Sequence, residues 1–310
     1  MPQILRMVVL RLVAIFLTLN VLIWGAYVLV FYNPVNGLAV ALAAYDGIHL
    51  SAGQLAAMIW QVTGALWTLN VHDLQLTERV TRIAFLHAVE TSLFITLASI
   101  AAAALIGVPL GAWAAWRRDH WLAQFSVSLS IAVSQVPPMA VVVALLWVLV
   151  LDLRWLPALG WGRPIDAVLP VLTLTVVNLG YITKFMQTGM NNVLTRDFIQ
   201  AARARGASAW RIVVRHALRP ALVTVVTFFG PQTVLTILAV ALVEQTLDVP
   251  GVARMLGIGV SYLGTPQPPG SQGAAVVLIT ADVFVIGGFI LLLNFLIDLV
   301  YRLLEPGASW

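Results

Sequence analysis

Apolar residues in this chain run on rather than alternate with polar ones. Four stretches, 12–31, 91–116, 121–151 and 221–243, contain no Asp, Glu, Lys or Arg. Each reaches the length of about 20 residues that a helix needs to cross the hydrocarbon core of a bilayer. Two more, 167–183 and 274–299, have the same character with interruptions: the first continues past Lys184, and the second contains Asp282 and Asp298. The pattern predicts six transmembrane helices in an all-α polytopic membrane protein. The strands of a barrel would alternate apolar and polar over about 10 residues. Pro137-Pro138 in the third run and Gly230-Pro231 in the fifth predict bends, which free backbone groups to line a cavity or simply kink the packing.

Charge orients these spans. Arg6 and Arg11 precede the first, Arg117 and Arg118 separate the second from the third, a larger cluster separates the fourth from the fifth, and Arg302 follows the sixth. With six spans all four places face one side. Basic residues accumulate on the cytoplasmic side, so both termini are expected there. The stretch 47–72 also lacks formal charge, but a crossing there would set Arg117 and Arg118 opposite Arg6 and Arg11. It also carries His49, Ser51, Gln54, Gln61, Thr63 and Asn70. The expected organisation is an N-terminal transmembrane helix at 1–32, an external subdomain of short helices at 33–88, and a five-helix core at 89–310. That core carries a cytoplasmic loop at about 194–220. The first run is too long for a signal-peptide core and lacks a small-residue cleavage site after it, so it is read as a retained helix.

Composition agrees with membrane residence: 61% of residues are hydrophobic, 10% are charged and mean hydropathy is +0.95. The absence of cysteine excludes disulfides and thiolate metal sites. The net charge of +4 lies in membrane-flanking loops and does not point to nucleic acid. No G-x-x-x-x-G-K-[ST] phosphate-binding loop exists, since the only lysine, Lys184, has no glycine before it. H-E-x-x-H and G-x-S-x-G are absent too. The chain reads as a pathway without its own ATP chemistry.

The loop at 196–220 gathers six of the 17 Lys+Arg residues: Arg196, Arg203, Arg205, Arg211, Arg215 and Arg219. At roughly 2.5–3.5 kcal/mol per arginine at mid-bilayer, burying all six would cost on the order of 15–20 kcal/mol. Only Asp197 is acidic, so the loop stays in water. Residues 197–205 are good helix formers, and Asp197 suits a helix start. Gly206 permits a left-handed turn, and Ser208 can cap a second helix. In that helix Trp210, Val213, Val214 and Ala217 recur at helical spacing, with Arg211 and Arg215 on another face. A basic loop on anionic lipid would explain the arginines. Two short helices with apolar faces about a glycine turn suit insertion in a groove of another protein better.

Gln200-Ala201-Ala202, then Gly206, then His216-Ala217-Leu218-Arg219-Pro220 resembles the EAA loop of binding-protein-dependent ABC-transporter permeases, with Gln200 in place of the Glu. Glu244-Gln245-Thr246-Leu247-Asp248-Val249-Pro250-Gly251 followed by Arg254-Met255-Leu256, and Asn294 to Tyr301 followed by Glu305-Pro306, are similar to the dipeptide/oligopeptide/nickel branch. Trp155-Leu156-Pro157 and Leu169-Pro170 also match. The resemblance runs from about residue 10 to the end. It departs at 67–71, which lack a Gly-Asp-Leu-Gly pattern, and in the loop after Pro250, which is longer than the family's. It implies a type I ABC importer permease-like fold and a multi-pass protein of the cell inner membrane. This would be a non-catalytic subunit without its own cofactor. A second, homologous permease would complete the pathway, two cytoplasmic ATPase subunits would bind ATP and Mg, and an external binding protein would deliver the substrate. Di- or oligopeptides are the expected cargo, with nickel chelates or glutathione as alternatives. An ion-coupled secondary transporter is the alternative outside the class. The ATPase-coupling residues implied are Gln200, Ala201, Ala202, Arg203, Gly206, Arg211 and His216.

Five polar residues in or beside the spans are candidates for the pathway or its gates, each with a plainer reading. Asn178, like Asn294, suits helix-to-helix hydrogen bonds. Lys184 can snorkel toward the cytoplasmic end of the fourth span. Glu244 and Asp248 fit a solvated acidic rim at the outer end of the fifth. Asp282 is expected near the outer end of the sixth and is buried only if that helix starts early. His49, His72, His87, His120 and His216 are scattered, and no metal site is expected.

Overall fold

The computed structural model describes residues 2–32, 52–68, 82–263 and 272–304. Eleven α-helices and one 3₁₀ turn (Pro164–Ala167) occur among them, with no strand. They are α1 (Pro2–Tyr32), α2 (Ala52–Trp67), α3 (Arg82–Trp116), α4 (Trp121–Ser134) and α5 (Pro138–Leu145, continued by a π-turn at Leu146–Asp152). Then come α6 (Val168–Leu194), α7 (Asp197–Ala204), α8 (Ala209–Arg211, continued by a π-turn at Ile212–Ala217), α9 (Leu218–Thr246), α10 (Val252–Leu263) and α11 (Gln272–Leu304). Five helical segments are long and apolar enough to cross a bilayer, and six if α4 and α5 form one broken span.

The third apolar run is more than bent. Its two helices are inclined by 102°, because Pro138 starts α5 and neither Pro137 nor Pro138 can donate a backbone hydrogen bond into α4. Gly230-Pro231 behaves otherwise: α9 stays helical through it.

The chain divides into two compact units, one of residues 1–92 and 250–292 and the other of residues 93–249 and 293–310. In the first, Trp67 of α2 packs between Phe16, with ring centroids 4.8 Å apart, and Phe284, at 5.3 Å and edge-on. The backbone N–H of Val252 donates to Ser92 Oγ at 2.9 Å.

In the second unit α6 is the hub. Sixteen of its residues, polar ones among them, are buried in protein. Its neighbours come close where a side chain is missing. A Cβ on Gly111 of α3 would lie 2.8 Å from Met186 Cβ. A Cβ on Gly189 would lie 2.6 Å from the carbonyl oxygen of Ala221 in α9. One on Gly180 would overlap the Ser130 carbonyl and the Ser134 hydroxyl of α4. Small residues of this kind let membrane helices approach backbone to backbone. Ser134 exploits the approach: its hydroxyl accepts from the N–H of Gly180 at 2.7 Å and donates to the carbonyl of Val176 at 3.1 Å, bridging one turn of α6.

Candidate functional site

The arginine-rich loop is built on the core, not suspended from it. Ile199 of α7 is buried with Met186, Met190, Val193 and Leu194 of α6, and Ala202, three residues on, is buried as well. The helix then ends in a Schellman turn. Gly206 N–H donates to Arg203 O at 2.9 Å, Ala207 N–H donates to Ala202 O at 3.1 Å, and Gly206 adopts φ +77°. That left-handed residue is why glycine stands there. Ser208 Oγ accepts from the N–H of Arg211 at 3.4 Å and caps α8.

In the second helix the four apolar residues at helical spacing do not share one face. Ile212 and Ala217 are buried, while Trp210 is 76% exposed and Val214 is exposed. The reason is the π-turn at Ile212–Ala217: its wider spiral brings residues five apart onto one face. Trp210 and Val213 instead line an apolar groove of about 530 Å³ against Pro109, Trp113 and Trp116 of α3.

Of the predicted loop residues, Gln200, Ala201, Arg203, Gly206 and Arg211 are exposed, His216 is half-buried, and Ala202 faces the core. The Arg118 guanidinium donates to the carbonyl of Asn191 at 3.3 Å, tying the turn after α3 to the same end of α6.

The membrane residues fall into separate places. Asn178 is fully buried and joins α6 to α9. Its Oδ1 accepts from Thr236 Oγ1 at 2.9 Å and from Gln232 Nε2 at 3.4 Å, and its Nδ2 donates to Leu174 O at 2.9 Å. Lys184 is exposed, and its Nζ donates to Gln187 Oε1 at 3.2 Å. Gln187 Nε2 donates to Gln124 Oε1 at 3.0 Å, and Gln124 Nε2 donates to Ala114 O at 3.0 Å. A polar relay thus crosses from α6 through α4 to α3. One turn away from Lys184, Gln135 Nε2 donates to Tyr181 Oη at 3.4 Å.

Glu244 is fully buried in the last turn of α9. It is therefore no solvated rim, unlike Asp248, which is exposed and holds φ +54°. Asp282 is fully buried, because α11 begins ten residues earlier at Gln272. It belongs to the first unit, whereas Asn178, Lys184, Glu244 and Asp248 belong to the second. Asn294 is half-buried in α11. His87 is exposed, 3.6 Å from Glu90, and no three His, Cys, Asp or Glu among the described residues could hold a metal. His49, His72 and the stretch 264–271 lie outside the described residues.

Gln124, Gln135, Tyr181, Gln187, Gln232 and Thr236 are the polar partners that sequence reasoning passed over. For α6 a signal existed: Asn178, Tyr181, Lys184, Thr188 and Asn191 recur every three or four residues, a polar stripe on an otherwise apolar run.

Comparison with known proteins bears on both regions. The family model described as "Binding-protein-dependent transport system inner membrane component" matches residues 107–310. The dipeptide transport system permease protein DppB of Bacillus subtilis is 30% identical over 210 residues, which cover 68% of this chain and 65% of that protein. The oligopeptide transport system permease protein OppB of Haemophilus influenzae is 29% identical over 221 residues, 71% of this chain and 69% of its own. The glutathione transport system permease protein GsiC of Salmonella typhimurium is 28% identical over 219 residues, 71% and 68% of the two chains. The similarity to the Bacillus protein thus spans just under two thirds of that protein's length.

Proposed function

Because this chain belongs to the binding-protein-dependent transport system inner membrane components, the permeases of ABC importers, we propose that it forms, with a second homologous permease, the pathway for short peptides. Both termini and the arginine-rich loop face the cytoplasm, as the distribution of arginines favours. Substrate arrives on an external binding protein. ATP and Mg are bound by two ATPase subunits, and this chain contributes no catalytic group or cofactor.

One observation supports the coupling role above the rest. The loop is clamped to the core by Ile199, Ile212 and Ala217, while Gln200, Ala201, Arg203 and Arg211 remain exposed about a defined glycine turn. A partner gripping that outer face moves α6 and α9 with it, because the anchoring residues pack on those helices. A loop that merely lay on lipid would need neither the Schellman turn nor the buried anchors.

The cargo reading rests on the relatives, whose names specify dipeptide, oligopeptide and glutathione transport. All three are short peptides, so glutathione is a second cargo of the same chemical class.

The test is affinity purification of this chain from its native membrane. ATPase subunits and a second permease should accompany it, and the isolated chain should show no saturable ATP binding. A short peptide should be recovered from the cognate binding protein. Saturable nucleotide binding by the isolated chain would overturn the division of labour, and a metal chelate on the binding protein would overturn the peptide reading.

A further inference from the structure

Lys184 is the chain's only lysine, and it sits in a membrane span. A lysine at the centre of such a helix costs about 2.5–3.5 kcal/mol on the insertion scale, so it has a role or an escape route. Escape by snorkelling is incomplete here. Arg118 donates to the carbonyl of Asn191, which marks the level where the chain's arginines gather. Lys184 lies seven residues before Asn191, about 10 Å deeper along the axis. Its ammonium is held at Gln187, still four residues, about 6 Å, short of that level. No carboxylate among the described residues pairs with it.

The ammonium is also positioned. Gln187 is buried and is itself fixed by Gln124, which is fixed by the carbonyl of Ala114. The relay sets where the amine points without supplying a counter-charge. One turn along the helix, Tyr181 and Gln135 add a hydroxyl and an amide. An exposed cation beside amide and hydroxyl groups is the chemistry that receives a carboxylate followed by a peptide bond.

We propose that Lys184, oriented by Gln187 and Gln124, receives the terminal carboxylate of the peptide as it passes through the membrane, with Gln135 and Tyr181 facing the adjoining peptide bond. The assignment rests on the peptide reading above. A single exposed charge binds weakly enough to release what it receives, which a pathway requires and a storage site does not.

The experiment uses the complete transporter in proteoliposomes, with binding protein and ATPases. The probes are trialanine and trialanine C-terminal amide, each presented at concentrations that saturate the binding protein. Lys184→Gln should lower trialanine uptake about tenfold or more, the usual size of a lost hydrogen bond to a charged group. Lys184→Arg should stay within about twofold of the wild type. Amide uptake should be unchanged in Lys184→Gln relative to the wild type, and ATP hydrolysis stimulated by loaded binding protein should be retained, which reports an intact assembly. Equal losses for both probes would overturn the assignment and favour pairing with a carboxylate of the second permease. No loss for either probe would overturn it too. A wild-type transporter that moves neither probe would overturn the peptide reading itself and this assignment with it.

Discussion

At Gly180 two helices of the second unit come into backbone contact, and Gly180→Ala tests whether that closeness holds them together. The new Cβ would lie 2.7 Å from the carbonyl carbon of Ser130 and nearer still to its oxygen and to Ser134 Oγ. Carbon atoms in good contact sit about 3.5–4.0 Å apart, so α4 must retreat by roughly 1 Å. Overpacking of this kind costs about 1–3 kcal/mol. Retreat also breaks the Ser134 bridge to Gly180 and Val176, worth about 0.5–1.5 kcal/mol. Against this, alanine is favoured over glycine in a helix by about 1 kcal/mol. The net loss is about 2 kcal/mol, or a fall in Tm of roughly 4–8 °C for a unit of this size. The assay is thermal unfolding of the purified protein in detergent. Gly64→Ala is the internal control: it too is helical, its added Cβ meets nothing within 4 Å, and only the favourable helix term remains, so its Tm should hold or rise. Ser134→Ala should give a smaller loss than Gly180→Ala. The double variant should lose less than the sum, because one of the obstructing atoms is gone while the Ser130 backbone remains. A Gly180→Ala protein as stable as wild type would refute the packing account.

Gly206→Pro removes the donor to Arg203 O and forbids φ +77°; membrane insertion should persist while substrate-stimulated ATP hydrolysis and transport are lost. Normal transport by an assembled Gly206→Pro complex would show that the turn is not needed for coupling. Asn178→Ala removes the acceptor shared by Thr236 and Gln232 and should cost about 1 kcal/mol, the scale of hydrogen bonds between membrane helices, read as a Tm fall of roughly 2–4 °C. An unchanged Tm would mean that Thr236, which also donates to the carbonyl of Gln232, and Gln232 are satisfied without it.

What the sequence determined by itself was everything that depends on local chemistry. Run length and the absence of charge marked the spans, because a bilayer admits only long apolar helices. The two prolines at 137–138 marked a bend, because a proline lacks the donor a helix needs. Gly206 and Ser208 marked the turn and cap of the loop, since each of those conformations asks for a particular residue type at one position. The clustering of the arginines argues on energetic grounds alone for a loop outside the membrane.

What only the tertiary structure decided was which side of each element faces what. Ala201 and Ala202 are identical in type, yet the fold buries Ala202 and exposes Ala201. Helical spacing predicted one apolar face of Trp210, Val213, Val214 and Ala217, and the structure splits it, burying Ala217 with Ile212 while Trp210 and Val214 stay exposed. Glu244 read as a rim residue because it stands at the outer end of an apolar span; its burial follows from the core around Val240, Val243 and Leu247. The prolines at 137–138 predicted a bend but not its size, and the 102° between α4 and α5 is read only from the structure. Lys184 and Gln124 are 60 residues apart, and no local pattern links them. They share a relay because Gly180 lets α4 approach α6 and bring Gln124 within 3.0 Å of Gln187, a distance that depends on the packing of two helices and on no residue alone.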